Sequence, residues 1–278
     1  MCTSDSGLAA FQDLHNVPQP QSVDSRYSSV VPLDTSQLRT EAGQLHRSVF
    51  GYTNNTHAVS PRLLTALLAN SGSALGAIDA NGRLLGFCFG FTALDGSTVY
   101  HYSQSTAVRP ESQGMGIGRL LKHRQAELAR SIGATSMRWA FDPINARNGH
   151  FNLETLGAKG TQFHRDFYGE PYSDRLIADW DLTQEQTGPS DLTSRTEFIQ
   201  NLAGQPERET VTAGELGGRR WLLLPSSVAA SSTLADSVST LLAEKFIQNL
   251  TDGFVAVACQ RLADTPNVAA YLFEQAES

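Results

Sequence analysis

The chain has 278 residues, of which 40% are hydrophobic and 18% charged, the balance of an ordinary globular protein with room for one large domain or two modest ones. Its formal net charge of −7 argues against nonspecific nucleic-acid binding, which needs a basic surface. No apolar run approaches the roughly 18 residues of a transmembrane helix, the opening MCTSDSGLAAFQDLHNVPQP does not read as a signal peptide, and Cys2, Cys88 and Cys259 are too few and too scattered for a disulfide framework or a zinc site. A cytoplasmic, metal-free protein without a membrane or nucleic-acid partner is expected.

Residues 1–26 are polar and aperiodic and read as a tail. Tyr27–Leu33 reads as a first strand. Residues 36–51 have helical spacing, with Leu38, Leu45 and Val49 on one side. A second helix is expected at 60–70, capped by Ser60 with Pro61 in its first turn. In ALGAIDANGRLLGFCFGFTAL (74–94) two apolar runs flank Asn81-Gly82, which predicts a hairpin with a type I′ turn. TVYHYSQSTAV (98–108) is β-branched and aromatic, and Arg109-Pro110 ends it. Strict alternation places His101, Ser103 and Ser105 on one face, with Tyr102, Gln104 and Thr106 on the other.

SQGMGIGRLLKHR (112–124) follows. A helix is expected from Gly118 to about Ile132, with Ile117, Leu120, Leu121, Leu128 and Ile132 near one face and Gly133 closing it. The glycines fit neither a P-loop nor the GxGxxG of a dinucleotide fold. They do fit [RQ]-x-x-G-x-[GA] through Gln113, Gly116 and Gly118, a string that average composition produces in roughly one chain in four of this length. Its place between a strand and a helix gives it meaning. A helix N-terminus offers unpaired N–H groups and partial positive charge, and glycine lets an anion approach the main chain.

Strands are expected at 136–143, 162–169 and 175–182, with a short helix at 146–157 ended by Gly157. The polar stretch 183–194 reads as a linker. Residues 195–278 read as a small C-terminal α/β extension, with strands at 220–225, 253–262 and 267–273 and a helix over 231–250; no catalytic cluster stands out in it.

The order strand, RPESQGMGIG loop, helix, strand and helix resembles the GNAT acyltransferases over about residues 27–182. A closer likeness, to a subgroup of predicted GNAT proteins, lies in Phe141-Asp142-Pro143, in Arg147-Asn148 with Phe151-Asn152-Leu153, and in Leu156-Gly157-Ala158. Phe167-Tyr168-Gly169 and Asp174-Arg175-Leu176 with Trp180 complete it. That subgroup also has a C-terminal extension.

The resemblance implies an α+β fold: a mixed, mostly antiparallel twisted sheet flanked by helices, plus the C-terminal unit. It also implies an acyl-CoA donor, acetyl-CoA or succinyl-CoA, and attack of an amine on the thioester. Strand 98–108 would splay from strand 136–143, with main chain at Thr106, Ala107 and Val108 pairing to the pantetheine arm. Pyrophosphate would sit on Gln113, Gly114, Met115, Gly116, Ile117 and Gly118. Arg119, Lys122 or Arg124 would meet a CoA phosphate, and Asn148 the cofactor arm.

An alkyl amine of pKa about 10 is neutral in only about one part in a thousand at pH 7, so a base is expected to remove its proton. His101 is the first choice, with His150 and His164 as alternatives and Asp142 to orient the amine. The family's usual tyrosine acid falls at Leu153 here, leaving Asn152 or Tyr168 for that role. Ser103 and Arg175 are candidates for substrate contact, Arg175 through a carboxylate. Cys88 reads as core. A small amine or amino acid is the expected acceptor, and a homodimer is common in the fold. Two other readings stay open: a noncatalytic acyl-CoA-binding protein, and a GNAT fold diverted to another CoA- or carrier-bound substrate.

Overall fold

The computed structural model describes residues 29–52, 58–184, 189–202, 211–226 and 233–276. The expected tail and the first residues of the expected first strand lie outside the described residues. The chain forms two compact units, Met1–Arg138 and Trp139–Ser278.

In the first unit, β1 (Ser29–Pro32), β2 (Ser73–Ile78), β3 (Leu84–Asp95) and β4 (Thr98–Val108) pair antiparallel in chain order. The start of β5 (Ser136–Phe141) then adds in parallel, Tyr100–Tyr102 against Ser136–Arg138. Helices α1 (Ser36–Phe50) and α2 (Pro61–Ala69) begin at hydroxyl caps: Thr35 accepts from the Leu38 N–H and Ser60 from the Leu63 N–H. Each cap satisfies one of the N–H groups a helix start leaves unpaired. Their apolar sides meet Leu33, Phe87, Phe89 and Ala107, with Leu38, Leu45 and Val49 packed as the spacing predicts. Helix α3 (Ile117–Ser131) packs Ile117, Leu120 and Leu121 against Leu75, Leu85 and Cys88. Phe87 and Phe89 thus join one cluster while Cys88 joins the other, the period of two expected of a strand buried on both faces.

Two local features differ from the sequence reading. At the β2–β3 turn only Gly82 has positive φ (77°), so the turn is not type I′. The Asp79 carboxylate explains this, since its Oδ1 accepts from the N–H groups of Asn81 and Arg83 at 2.8 and 2.9 Å and fixes a wider turn. In β4, pairing steps from Phe89↔Ser105 to Gly90↔Ser103, leaving Gln104 as an extra residue. This β-bulge resets the alternation. Thr106 and Val108 join the face of His101 and Ser103, and Ser105 leaves it.

The second unit contains α4 (Ala146–His150), which runs into a π-helical turn at Phe151–Thr155, then β6 (Lys159–His164) and β7 (Arg175–Asp181). Helix α5 (Pro189–Gln200), β8 (Thr212–Leu216), β9 (Arg219–Pro225), α6 (Thr233–Thr251), β10 (Phe254–Arg261) and β11 (Val268–Gln275) follow. The strand order β7-β6-β10-β11-β9-β8 is antiparallel throughout. The fold class is α+β, with β8–β11 and α6 as the C-terminal addition.

The strand expected to reach 169 stops at His164. There the Asp166 N–H turns to the Asp174 carboxylate (2.9 Å), and Asp166 and Gly169 take positive φ. Helix α5 begins at Pro189, inside the stretch read as linker; proline fits a first turn because the N–H it lacks has no partner there anyway. Strand β8 was not expected. Among the described residues no helix is long and apolar enough to cross a membrane.

Candidate active site

The end of β4 leads directly into the glycine loop. Arg109 anchors the exit, with its N–H on the Leu85 carbonyl (2.8 Å) and its Nε on the Leu84 carbonyl (2.5 Å). A short 3-10 turn at Pro110–Ser112 follows, and the Gln113 side chain reaches back to the Val108 carbonyl at 3.2 Å. Gly114 and Gly116 have φ of 79° and 80°, and a Cβ added at either would meet nothing within 4 Å. Backbone conformation, rather than crowding, requires glycine here.

Helix α3 starts at Ile117, one residue before the expected Gly118, with Gly116 as a cap that makes no side-chain hydrogen bond. The N–H groups of Ile117, Gly118 and Arg119 therefore begin the helix without a side-chain acceptor, beside exposed Gln113, Gly114 and Gly116. Such a terminus suits an anion. Arg119 is exposed, whereas Lys122 and Arg124 are 3% and 4% exposed. The expectation that either of these two meets a CoA phosphate fails for a plain reason: Lys122 donates to Ser103, and Arg124 pairs with Glu127 at 2.7 Å. The pyrophosphate group fits the cradle, with the three helix N–H groups and Arg119 as its available partners.

Below the cradle lies a buried polar chain that the sequence reading missed. Lys122 Nζ donates to Ser103 Oγ (2.8 Å), and Ser103 Oγ donates to Gln125 Oε1 (2.7 Å). Gln125 Nε2 donates to Ser73 Oγ (2.7 Å), which lies 2.8 Å from His101 Nε2. Ser73 Oγ has a second lone pair as well as its proton, so which of Ser73 and His101 donates is set by the imidazole tautomer. His101 Nδ1 is buried without a hydrogen-bond partner. Burial, with the nearby Lys122 ammonium, lowers the His101 pKa to about 4, and burial lowers that of Lys122 to about 7. At neutral pH His101 is uncharged, wholly buried and already engaged at Nε2. Gly90 makes room for it: a Cβ there would lie 2.7 Å from His101 Nε2 and collide with the Tyr102 carbonyl.

Thr106 and Val108 lie past the bulge on the α3 side, with Ala107 in the opposite core. Thr106 Oγ1 is buried without a partner. The one signal of the polar chain in the sequence was a lysine and a glutamine on the inward stripe of α3, where Leu121 and Leu128 lead a reader to expect apolar residues.

Apart from Cys88, the remaining candidates belong to the second unit. Asp142 Oδ1 accepts from the Ile144 N–H (3.0 Å); burial raises its pKa, against the pull of that bond and of Arg175. The Arg175 guanidinium stacks 5.0 Å from the Tyr168 ring centroid and donates to the Asp174 carbonyl. Arg175 thus stacks on Tyr168, and its charge acts on Asp142. Asn152 stands apart, buried and accepting from Trp139 Nε1 at 3.0 Å. Asn148 is exposed on α4, and the helix cap is Asn145, whose Oδ1 accepts from the Arg147 and Asn148 N–H groups. His150 bonds Glu154 and the Cys259 carbonyl, and its ion pair with Glu154 raises its pKa. His164 packs against Phe167. Cys88 is core, as expected, and burial pushes its thiol up to about 12.

Residues 40–157 match the model of the acetyltransferase (GNAT) family. Among solved structures, the ribosomal-protein-S18-alanine N-acetyltransferase of Escherichia coli is 17% identical, with a TM-score of 0.45 over 58% of this chain and 96% of that one. An aminoglycoside 6'-N-acetyltransferase complexed with coenzyme A is 13% identical, with a TM-score of 0.45 over 58% of this chain and 100% of that one. A putative acetyltransferase of Salmonella typhimurium with its cofactor acetyl-CoA is 21% identical, with a TM-score of 0.44 over 58% and 96%. No curated protein sequence matches the chain.

Proposed function

We propose, from the match of residues 40–157 to the GNAT acetyltransferase family model, that the protein is an acyl-CoA-dependent N-acyltransferase that moves an acetyl or succinyl group to a small amine or amino acid. One observation carries this reading. A solvent-facing helix start, made bare by Gly114 and Gly116, follows directly on a strand whose bulge re-aims its last residues.

Acyl-CoA supplies an acyl group activated as a thioester. In the first unit, the N–H groups of Ile117–Arg119 and the Arg119 side chain hold pyrophosphate, and main chain at Thr106–Val108 lines the pantetheine arm. N–H groups past the bulge are suited to a developing negative charge on the thioester oxygen, because fixed dipoles need no reorganisation. In the second unit, Arg175 with Tyr168 suits an acceptor carboxylate, and the Asp142 carboxyl, made more basic by burial, suits the amine proton. His101 is assigned a supporting role in the strand, since its low pKa makes it a poor base at neutral pH.

Calorimetry with coenzyme A, together with thiol release from acetyl-CoA and succinyl-CoA over a panel of amines and amino acids, tests the proposal. Binding with turnover on one donor and one acceptor class is expected. Binding without turnover would favour a noncatalytic acyl-CoA-binding protein, and no binding would leave the glycine loop as a turn.

A further inference from the structure

The polar chain under α3 is an unusual thing to bury. Its members come from three elements: Ser73 on β2, His101 and Ser103 on β4, and Lys122 and Gln125 on α3. None is more than 3% exposed. The bonds run in one direction from Lys122 through Ser103 and Gln125 to Ser73, whose Oγ meets His101 Nε2. A buried ammonium is costly, and a methionine or leucine would fill similar space without that cost. The chain therefore calls for a role beyond filling the core.

Its position indicates one. Ser103 immediately precedes the bulge residue Gln104, where the β3–β4 ladder loses a regular pair. Lys122 and Gln125 grip the strand at this weak point from the same helix whose N-terminus forms the glycine cradle. We propose that Lys122, acting through Ser103, is a positioning residue that clamps the β4 bulge to α3, so that the strand past the bulge and the glycine cradle keep one register for an extended acyl-thioester ligand. This rests on the acyl-CoA reading above. An anion at the cradle alone does not need the clamp; a ligand that continues along Thr106–Val108 does.

Two ligands separate these contributions. Acetyl-CoA spans the cradle and the strand, whereas the 3′-phosphorylated ADP half of coenzyme A reaches the cradle only. Calorimetry with both is run on wild type, Lys122→Met and Ser103→Ala, with thermal melts to follow folding. In Lys122→Met, acetyl-CoA affinity is expected to fall about tenfold, while affinity for the ADP half changes by less than about twofold. Ser103→Ala reproduces the selective loss, and the double variant loses little more, because both act through one contact. If the lysine variant does not fold, the serine variant alone decides between the outcomes. Equal loss for both ligands, or no loss for either, overturns the clamp and leaves the acyl-CoA reading standing. Wild type that binds neither ligand sinks that reading, and the clamp with it.

Discussion

Lys122 gives a residue-scale test that needs no ligand. Its pKa of about 7 in the folded protein lies below the ordinary value of 10.5, mainly through burial. Between these limits the unfolded chain binds a proton that the folded chain does not, so stability rises with pH. Below about pH 7 both states are protonated and the cost of burying the ammonium is fully present; above 10.5 it is gone. Two titratable groups that act on the amine, His101 and Cys88, are both kept neutral across this range by burial. Urea unfolding of wild type and Lys122→Met from pH 6 to pH 10 is expected to show the variant more stable at the acid end. The difference shrinks by roughly 1 kcal/mol per pH unit above neutrality and is flat below it. A difference independent of pH would mean that the lysine reaches water in the folded state.

At the scale of elements, two glycines do different work. Gly116 is open to solvent but holds φ at 80° where α3 begins, so Gly116→Ala adds strain without a clash. The expected stability cost is about 1 kcal/mol. Coenzyme A affinity is expected to fall more than stability does, because the cradle N–H groups turn away. Gly149 is the opposite case: its φ is helical, but a Cβ would lie 2.5 Å from the Tyr271 hydroxyl and 2.7 Å from Cys259 Sγ, where α4 rests on β10 and β11. Gly149→Ala is expected to destabilise the second unit by roughly 1–3 kcal/mol, read from its unfolding midpoint. Elements with a period or a cap were legible in the sequence: α1, α2 and α3 and the hairpin strands stand where Leu45, Ser60 and Leu121 put them. The β4 bulge was not, because alternation carries no mark of one extra residue until the partner strand is known. The polar chain was hidden for the same reason. Ser73 and Gln125 are 52 positions apart, and only the packing of α3 on the sheet makes them neighbours.

For the whole molecule, the division into two units at Arg138 sets the last expectation. The glycine cradle and β4 lie in the first unit, while Asp142, Tyr168 and Arg175 lie in the second. The family match runs across that boundary, from 40 to 157, so a sequence read by family resemblance gives no sign of where the contacts divide. A ligand stabilises only what it binds, by about 2.7 kcal/mol at a hundred times its dissociation constant. Coenzyme A alone should therefore protect the first unit foremost. Hydrogen exchange at saturating coenzyme A is expected to slow in β3, β4 and α3, with the largest effect at Ile117–Leu121, and to change little in β8, β9 and α6. An acceptor that adds to coenzyme A should then slow exchange at Asp142 and over 165–175. Protection by coenzyme A confined to β8–β11 would move the donor site into the C-terminal addition and leave the glycine loop without a ligand.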